Sequence, residues 1–96
     1  MILEHAPLSV IPGRESEFES AFAQARKIIE SMPGFISLRL ARGLESPSTY
    51  LLLVEWENLE DHTEGFRGSA EYQQWRELLH HFYAPFPTVE HFVDIL

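Results

Sequence analysis

The spacing of apolar residues changes several times along the chain, and each change predicts a boundary between a strand and a helix. Residues 1–11 alternate with a period of two, as the side chains of a strand do. One face of this predicted strand carries Ile2, Glu4, Ala6, Leu8 and Val10. Pro7 lies on the other face and cannot donate a backbone hydrogen bond, which favours an edge or an irregularity there.

Residues 14–32 repeat an apolar side chain at spacings of three and four, which is typical of one face of a helix. This apolar stripe consists of Phe18, Phe22, Ala25, Ile29 and Met32. Acidic residues fall in the first turn and basic residues come late in the segment, the arrangement that the helix dipole favours. The pair Pro33-Gly34 is expected to end this helix.

Two strands are predicted next, over residues 35–43 and 50–54, and a hairpin loop over residues 43–48 joins them. The apolar face of the first strand is predicted to carry Ile36, Leu38 and Leu40. The second strand, Tyr50-Leu51-Leu52-Leu53-Val54, is apolar at every position. A strand with one face in water would alternate, so both faces of this strand are expected to be buried.

A helical region is predicted from residue 58 to about residue 81. Asn58 offers an oxygen that can cap its first turn. Gly65 and Gly68 are expected to interrupt the region, and Ser69 is expected to cap a second helical segment. Two prolines, Pro85 and Pro87, follow and end the helical region.

A last strand is predicted over residues 89–96, so the order of elements is β-α-β-β-α-β. The simplest fold for this order is α+β and ferredoxin-like, a four-stranded antiparallel sheet with both helices on one face. In a monomer, this fold leaves one apolar face of the strand 50–54 exposed. We therefore expect a homodimer that packs sheet against sheet, in which residues 1–96 of each chain form a single domain.

The composition limits the possible partners. Fifteen Asp and Glu against seven Lys and Arg give a formal charge of −8, which disfavours nucleic acid and anionic membranes as partners. There is no cysteine, so a disulfide framework or a zinc–thiolate site is excluded. His80 and His81 are adjacent and point in different directions on a helix, so no metal site is expected. With no apolar segment long enough to cross a membrane, we expect a cytoplasmic protein.

Several short motifs stand in a characteristic order along nearly the whole chain. They are Val10-Ile11-Pro12-Gly13, Glu17-Phe18-Glu19, Pro33-Gly34-Phe35, Tyr50-Leu51-Leu52-Leu53-Val54-Glu55-Trp56, Ser69-Ala70-Glu71-Tyr72-Gln73-Gln74-Trp75 and Val89-Glu90-His91-Phe92. This set resembles the antibiotic biosynthesis monooxygenase family of dimeric α+β barrel proteins. The resemblance implies a ferredoxin-like homodimer with a pocket between sheet and helices in each subunit. It also implies an oxygenase that acts on phenolic or quinol substrates without metal or flavin, or, in other members, haem degradation or the processing of small signal or quinone-like molecules.

The chain departs from the haem-degrading members of that family at two positions. Those members resemble it at Trp56, but they carry an Asn in the first strand and a His ten residues after the Trp. Here the only asparagine of the chain is Asn58, and Phe66 stands ten residues after Trp56. Phenylalanine cannot ligate iron, so haem degradation is disfavoured. No cofactor is expected, and the chain has no Gly-rich phosphate loop between a strand and a helix.

The candidate site is predicted at the joint between the strand 50–54 and the following helical region. Trp56 and His62 are the predicted catalytic residues. Trp56 ends the buried strand, where its indole N–H is expected to orient a ligand, and His62 is the titrating group expected nearest to it. The proposed substrate-binding residues are Phe66, Tyr72, Trp75 and Arg39, the last to stabilise an anion. Each also has a simpler explanation, because buried aromatic residues pack cores, and a helical histidine or a strand arginine is often a solvated surface group.

The predicted chemistry is a cofactor-independent oxygenation of a small aromatic molecule. His62 would take a proton from a phenol or quinol hydroxyl group, and the resulting anion would react directly with dioxygen. The neighbouring carboxylates of Asp61 and Glu64 are expected to raise the pKa of His62. Two non-catalytic functions stay open: a module that binds a small hydrophobic molecule, and a structural partner of another protein.

Overall fold

The computed structural model describes all 96 residues, Met1–Leu96, and contains four strands and two main helices. In chain order the elements are β1 (Ile2–Ser9), α1 (Glu15–Glu30), β2 (Phe35–Arg42), β3 (Thr49–Trp56), a π-helical segment (Asp61–Phe66), α2 (Ala70–Leu79), a 3₁₀ turn (His80–Phe82) and β4 (Glu90–Phe92). The predicted βαββαβ order is therefore confirmed.

The four strands form one antiparallel sheet in the order β2-β3-β1-β4. Both helices cover the same face of this sheet, so the predicted ferredoxin-like fold is confirmed. We call the helix-covered face the inner face and the opposite one the outer face. β4 pairs with β1 only at Leu3, Glu4 and His5, so β1 is locally an edge at Pro7, which has no ladder hydrogen bond to donate.

The strand β3 has one fully buried face and one half-buried face. Its inner face carries Tyr50, Leu52, Val54 and Trp56, all of which are buried in the core. Its outer face carries Leu51 and Leu53, which are only half-buried within one chain. The helices of the same chain therefore cover the inner-face side chains of β3. The outer-face side chains have no such cover and form an apolar surface.

The start of β2 differs from the predicted alternation. The register shifts between Phe35 and Ser37, so that Phe35 lies opposite Trp56 and Ser37 lies opposite Glu55. This bulge inserts one extra residue, Ile36, whose side chain is 43% exposed instead of sharing the buried face with Leu38. A β-bulge exchanges the faces of the residues that precede it, which is why the strict alternation predicted for this strand was wrong at its first two residues.

The helical elements follow the predicted periodicity more closely. The stripe predicted for α1 is confirmed, because Phe18, Phe22, Ala25 and Ile29 are buried. Ser69 caps α2, where its Oγ accepts a hydrogen bond from the backbone N–H of Tyr72 at 3.1 Å. Asn58 does not act through its side-chain oxygen as predicted. Instead the carboxylate of Asp61 accepts a bond from the backbone N–H of Asn58, which is the reverse half of a capping box.

The Pro33-Gly34 turn brings the start of β2 against the π-helical segment. Gly34 has φ +84°, a conformation that residues with a Cβ rarely adopt. A Cβ at this position would lie 2.1 Å from Oδ2 of Asp61. Gly34 therefore allows both the turn and the close approach of Asp61.

The last strand is shorter than predicted. β4 spans only Glu90–Phe92, whereas residues 89–96 were predicted to be extended and paired. Val93, Ile95 and Leu96 follow β4 with largely exposed side chains, because no strand of the same chain lies beside them. No helix combines the length and the apolar character needed to cross a membrane.

Candidate functional site

A pocket of about 440 Å³ lies between the inner face of the sheet and the segment that runs from the π-helical turn to β4. Its aromatic lining consists of Phe66, Tyr72, Trp75, Tyr83 and Phe86. The polar side chains on its wall are Glu4, His62, Arg67 and His80. The predicted position of the pocket, beside the joint between β3 and the helical region, agrees with this location.

Glu4 projects from β1 onto the inner face, where the other side chains of the strand are apolar. Its residue surface is only 5% exposed. Its Oε1 accepts a hydrogen bond from Nε1 of Trp56 at 2.9 Å and lies 3.4 Å from Nε2 of His62. Oε2 has no hydrogen-bond partner within the protein and is not among the fully buried polar atoms, so this oxygen is available to the pocket.

His62 is held between Trp56, His91 and Glu4. Its ring stacks on the indole of Trp56, with ring centroids 5.4 Å apart and an angle of 17° between the planes. Its Nδ1 lies 2.7 Å from Nε2 of His91, which projects inward from β4 opposite Glu4. Only 3% of the residue surface is exposed. Both ring nitrogens of His62 therefore face protein groups.

Burial shifts the acid–base properties of this pair in opposite directions. It raises the pKa of Glu4 to about 6, although the Trp56 hydrogen bond and the Arg67 guanidinium each lower it in part. It lowers the pKa of His62 to about 3, and the charges of Arg67 and His91 lower it further. At neutral pH, Glu4 is a carboxylate and His62 is a neutral imidazole.

The expected rise in the pKa of His62 is therefore wrong. The neighbours that were expected to raise it do not face its ring. The carboxylate of Asp61 is bonded to Asn58, and Glu64 is exposed. Burial of the imidazole is the largest cause of the shift, and it acts against the charged form.

The aromatic residues predicted for substrate binding do meet at this pocket. Phe66 packs edge-on against Tyr72 and Trp75, with centroid distances of 5.2 Å and 5.5 Å. Trp56 stands behind this wall, because it is fully buried and contacts Phe66 and His62 without lining the open space. Its indole N–H is already bonded to Glu4, so it orients a carboxylate of the site.

Arg39 is not brought to this pocket. It lies on β2 opposite Leu53, is exposed, and borders a different and wide-open groove of about 710 Å³ between α1 and the edge of the sheet. The two other arginines along that groove already pair with Glu19 and Glu30. The cation on the wall of the 440 Å³ pocket is Arg67, which follows the π-helical segment.

Sequence reasoning missed Glu4, His91 and Arg67 as members of the site. One signal was present for Glu4, because it is the only charged residue on a strand face that otherwise carries Ala6 and Leu8. A carboxylate at a core position is an exception that a functional site can explain. Nothing in the sequence placed Arg67 or His91, since their approach depends on the helix register and on strand pairing.

The site contains no convergent set of ligands for a metal ion. No three His, Cys, Asp or Glu side chains are grouped in a geometry that could hold one. Iron ligation by His62 would require its ring to leave Glu4 or His91, and Phe66 offers no ligand atom. The expectation that haem degradation is disfavoured stays a prediction.

Comparisons with known proteins agree on one family. A family model for antibiotic biosynthesis monooxygenases matches residues 1–78. The uncharacterized protein YczJ of Bacillus subtilis is 60% identical over 95 residues, which cover 99% of this chain and 100% of YczJ. The crystal structure of a candidate antibiotic biosynthesis monooxygenase from Bordetella bronchiseptica is 40% identical, with a TM-score of 0.94 over 99% of this chain and 97% of that one.

More distant structures share the fold. SnoaB of Streptomyces nogalater, described as a cofactor-independent oxygenase, superimposes with a TM-score of 0.78 over 99% of this chain and 93% of its own. Its sequence identity is 21%, so this likeness concerns the fold.

Proposed function

The chain belongs to the antibiotic biosynthesis monooxygenase family, and we propose that it oxygenates a small phenol or quinol with dioxygen and without a cofactor. The observation that carries this proposal is a buried pair, Glu4 and His62, on the wall of an aromatic pocket of about 440 Å³. SnoaB, which shares the fold, is described as an oxygenase of the cofactor-independent kind. We infer the substrate class from the family resemblance together with the aromatic lining of the pocket.

The size and lining of the pocket support an aromatic substrate. Its volume lies at the lower end of the range for small-molecule sites. Phe66, Tyr72 and Trp75 present ring faces and edges that can pack against a planar ring. The guanidinium of Arg67 favours a substrate that becomes an anion.

A phenol with a free para position can supply all the electrons that the reaction needs. Its carbon–hydrogen and oxygen–hydrogen bonds break, one oxygen atom of dioxygen forms a new carbonyl group, and the other leaves as water. The products are a quinone and water, so no external reductant enters the balance. The protein's part is to bind the phenol, to remove the hydroxyl proton, and to keep bulk water from the reactive anion.

We also propose that the working unit is a homodimer, as the family resemblance implies. The outer face of the sheet exposes a contiguous apolar surface made of Leu3, Leu51, Leu53 and Phe92. Within it, Nδ1 of His5 is buried without a hydrogen-bond partner. A second sheet packed on this face would cover the apolar side chains.

The proposed function is tested by oxygen uptake. The purified protein should consume dioxygen with 1-naphthol or a comparable phenol that has a free para position, faster than the substrate autoxidises. The coupled reaction forms water, whereas autoxidation releases hydrogen peroxide, so a peroxide assay separates the two. With isotopically labelled dioxygen, the quinone product should carry one labelled oxygen atom.

A variant that fills the pocket provides the control. Val89 lines the pocket, and Val89→Trp should abolish uptake, whereas Leu44→Trp in the exposed hairpin loop should not. If a panel of phenols binds tightly at this pocket without oxygen uptake, the protein is a binding module for small hydrophobic molecules. If nothing binds, the structural alternative is favoured.

A further inference from the structure

We propose that Glu4 is the catalytic base of this site, and that His62 and His91 are positioning residues that hold its carboxylate. This inference rests on the oxygenase function proposed above and names the residue that accepts the substrate proton. It replaces His62, the base predicted from the sequence, by a strand residue that the sequence did not single out.

The hydrogen-bond geometry distinguishes the two candidates. Oε1 of Glu4 is occupied by the indole N–H of Trp56, but Oε2 has no partner in the protein and faces the pocket. In His62, Nδ1 is bonded to His91 at 2.7 Å and Nε2 faces Oε1 of Glu4 at 3.4 Å, so both ring nitrogens point at protein groups. A substrate hydroxyl group can reach Oε2 of Glu4 directly, whereas it would have to displace a protein group to reach a nitrogen of His62.

The titratable groups near Glu4 lie on the π-helical segment, on β4 and on the turns beside them, whereas β3 contributes Val54 and the indole of Trp56. His62 approaches from the π-helical segment, His91 from β4, and Arg67 from the turn that follows the π-helical segment. Tyr83, beyond the 3₁₀ turn, is uncharged because burial raises its pKa. Arg67 is thus the fixed cation near Glu4, and the two histidines are neutral because burial lowers the pKa of each.

Acid–base strength agrees with this geometry. A general base works best when its pKa lies near the operating pH. Burial raises the pKa of Glu4 to about 6, which leaves it ionised at neutral pH and still able to hold a proton. The pKa of His62, lowered to about 3, makes that imidazole a weak base.

His91 has a role through His62. With Glu4 ionised, the favourable tautomer of His62 carries its hydrogen on Nε2, facing Oε1 of Glu4. This tautomer leaves Nδ1 as an acceptor, and Nε2 of His91 then donates to it across 2.7 Å. The chain of groups from His91 through His62 to Glu4 thereby places the Nε2 hydrogen of His62 beside the carboxylate, at a nitrogen–oxygen distance of 3.4 Å.

The proton step is balanced within the site. The O–H bond of the bound phenol breaks, the proton goes to Oε2 of Glu4, and the electron pair stays on the phenolate oxygen. One oxygen atom of dioxygen forms a bond to the para carbon of the phenolate. The O–O bond then breaks, and the other oxygen atom leaves with the hydrogen lost from that carbon. Glu4 returns the same proton to the oxygen atom that leaves as water, so the carboxylate is regenerated without an outside acid.

The first test compares Glu4→Gln with Glu45→Gln, a matched change in the exposed hairpin loop. Glutamine keeps the shape of the side chain and can still accept the Trp56 hydrogen bond, so the protein should fold with an unchanged or higher Tm. We expect Glu4→Gln to lower kcat for oxygenation of a phenol with a free para position by about 10²–10⁴-fold, and Glu45→Gln to leave it unchanged. Glu4→Ala should regain part of its activity when formate is added, because formate can supply a carboxylate in the vacated space.

The second test uses the pH profile. A base must be ionised to act, so kcat/KM of the wild type should rise with pH through about 6, the raised pKa of Glu4. Glu4→Gln should lose this limb. His91→Gln removes the group that fixes the tautomer of His62, so the ionised form of Glu4 is less stabilised. The rise of kcat/KM should therefore move to higher pH, while most of the maximal kcat/KM is kept. His81→Gln, on the exposed side of the 3₁₀ turn, should not move it.

The outcomes separate the two proposals. If the wild type takes up oxygen and folded Glu4→Gln retains both the rate and the acidic limb, Glu4 is not the base, although the oxygenase function stands. If formate does not restore activity to Glu4→Ala, and kcat is lost in His62→Ala instead, the catalytic base is His62. If the wild type takes up no oxygen with any phenol, the oxygenase function and the catalytic role of Glu4 both fall.

Discussion

At the scale of single residues, the indole N–H of Trp56 connects the core of the protein to its candidate site. Trp56 is fully buried, and Nε1 donates its one hydrogen bond to Oε1 of Glu4 at 2.9 Å. The two residues are 52 positions apart in the chain. Their bond therefore depends on the pairing of β1 with β3, in which Glu4 lies opposite Val54, two residues before Trp56.

Trp56→Phe tests the importance of this bond. Phenylalanine keeps most of the apolar contact but leaves Oε1 of Glu4 without the indole donor. The buried acceptor should cost about 1–3 kcal/mol in the free energy of unfolding, measured by denaturant titration at neutral pH. Because the lost bond favoured the ionised form, the pKa of Glu4 should rise and the acidic limb of kcat/KM should move above about 6.

Trp75→Phe is the comparison for that change. Trp75 has no hydrogen bond from its indole to another side chain, so its replacement should not move the acidic limb. A limb that stays in place in Trp56→Phe would contradict the assignment of this limb to Glu4. A shift in both variants would indicate a general loosening of the pocket.

The single residues that sequence reasoning found and missed differ in one physical respect. Trp56, His62 and Phe66 follow one another within a single strand–helix joint, so local spacing was enough to bring them together. Glu4 and His91 reach the same place only through the sheet. Burial raises the pKa of Glu4, and this burial arises only when the chain folds. It therefore could not be predicted from the residues next to Glu4 in the sequence.

At the scale of elements, the π-helical segment determines how His62 is presented. Its backbone bonds span five residues, as in the bond from the N–H of Arg67 to the carbonyl of His62 at 3.1 Å. The sequence predicted a helix here and an interruption by glycines, but the wider turn depends on packing against Trp56 and the Pro33-Gly34 turn. The β-bulge at Ile36 is a similar case, because one inserted residue leaves little trace in a short strand pattern.

The contact between Gly34 and the π-helical segment gives a prediction about stability. Gly13 and Gly34 both have positive φ, at +94° and +84°, so an alanine at either site carries similar backbone strain. Only at Gly34 would the new Cβ meet another group, Asp61, whose Oδ2 and Cβ would lie at 2.1 Å and 2.7 Å. Gly34→Ala should therefore lower the free energy of unfolding by about 1–3 kcal/mol more than Gly13→Ala does.

Denaturant titration of the two alanine variants measures this difference directly. Gly13→Ala is the matched control, because its Cβ would meet nothing within 4 Å. Gly34→Ala should also reduce oxygen uptake, since a displaced Asp61 shifts the segment that carries His62. Equal losses of stability in the two variants would mean that Asp61 moves aside at no cost, and that backbone strain alone accounts for both.

At the scale of the whole molecule, the fold could be predicted because most element boundaries carry a local signal. Proline–glycine turns, the stripe of α1 and the cap at Ser69 each agreed with the βαββαβ order. The length of β4 could not be predicted. Val93, Ile95 and Leu96 continue an extended apolar pattern, yet no strand of the same chain lies beside them.

The outer face of the sheet carries the last prediction, that of a homodimer. Leu53 lies near the centre of this face, between His5 of β1 and Arg39 of β2. Two copies packed through it should sediment at micromolar concentration as a species of about 22 kDa, twice the 11.1 kDa of one chain. Leu53→Glu would bury a carboxylate between the two sheets, and its desolvation costs several kcal/mol even beside Arg39, so this variant should sediment as a monomer.

The matched control for the dimer is Leu44→Glu, the same change at a residue of the exposed hairpin loop. It should leave the sedimentation coefficient of the dimer unchanged. Leu53 does not line the pocket, so monomeric Leu53→Glu also shows whether the site works in a single chain. A wild type that sediments as a monomer, or a Leu53→Glu variant that stays dimeric, would show that the apolar outer face is not where two copies meet.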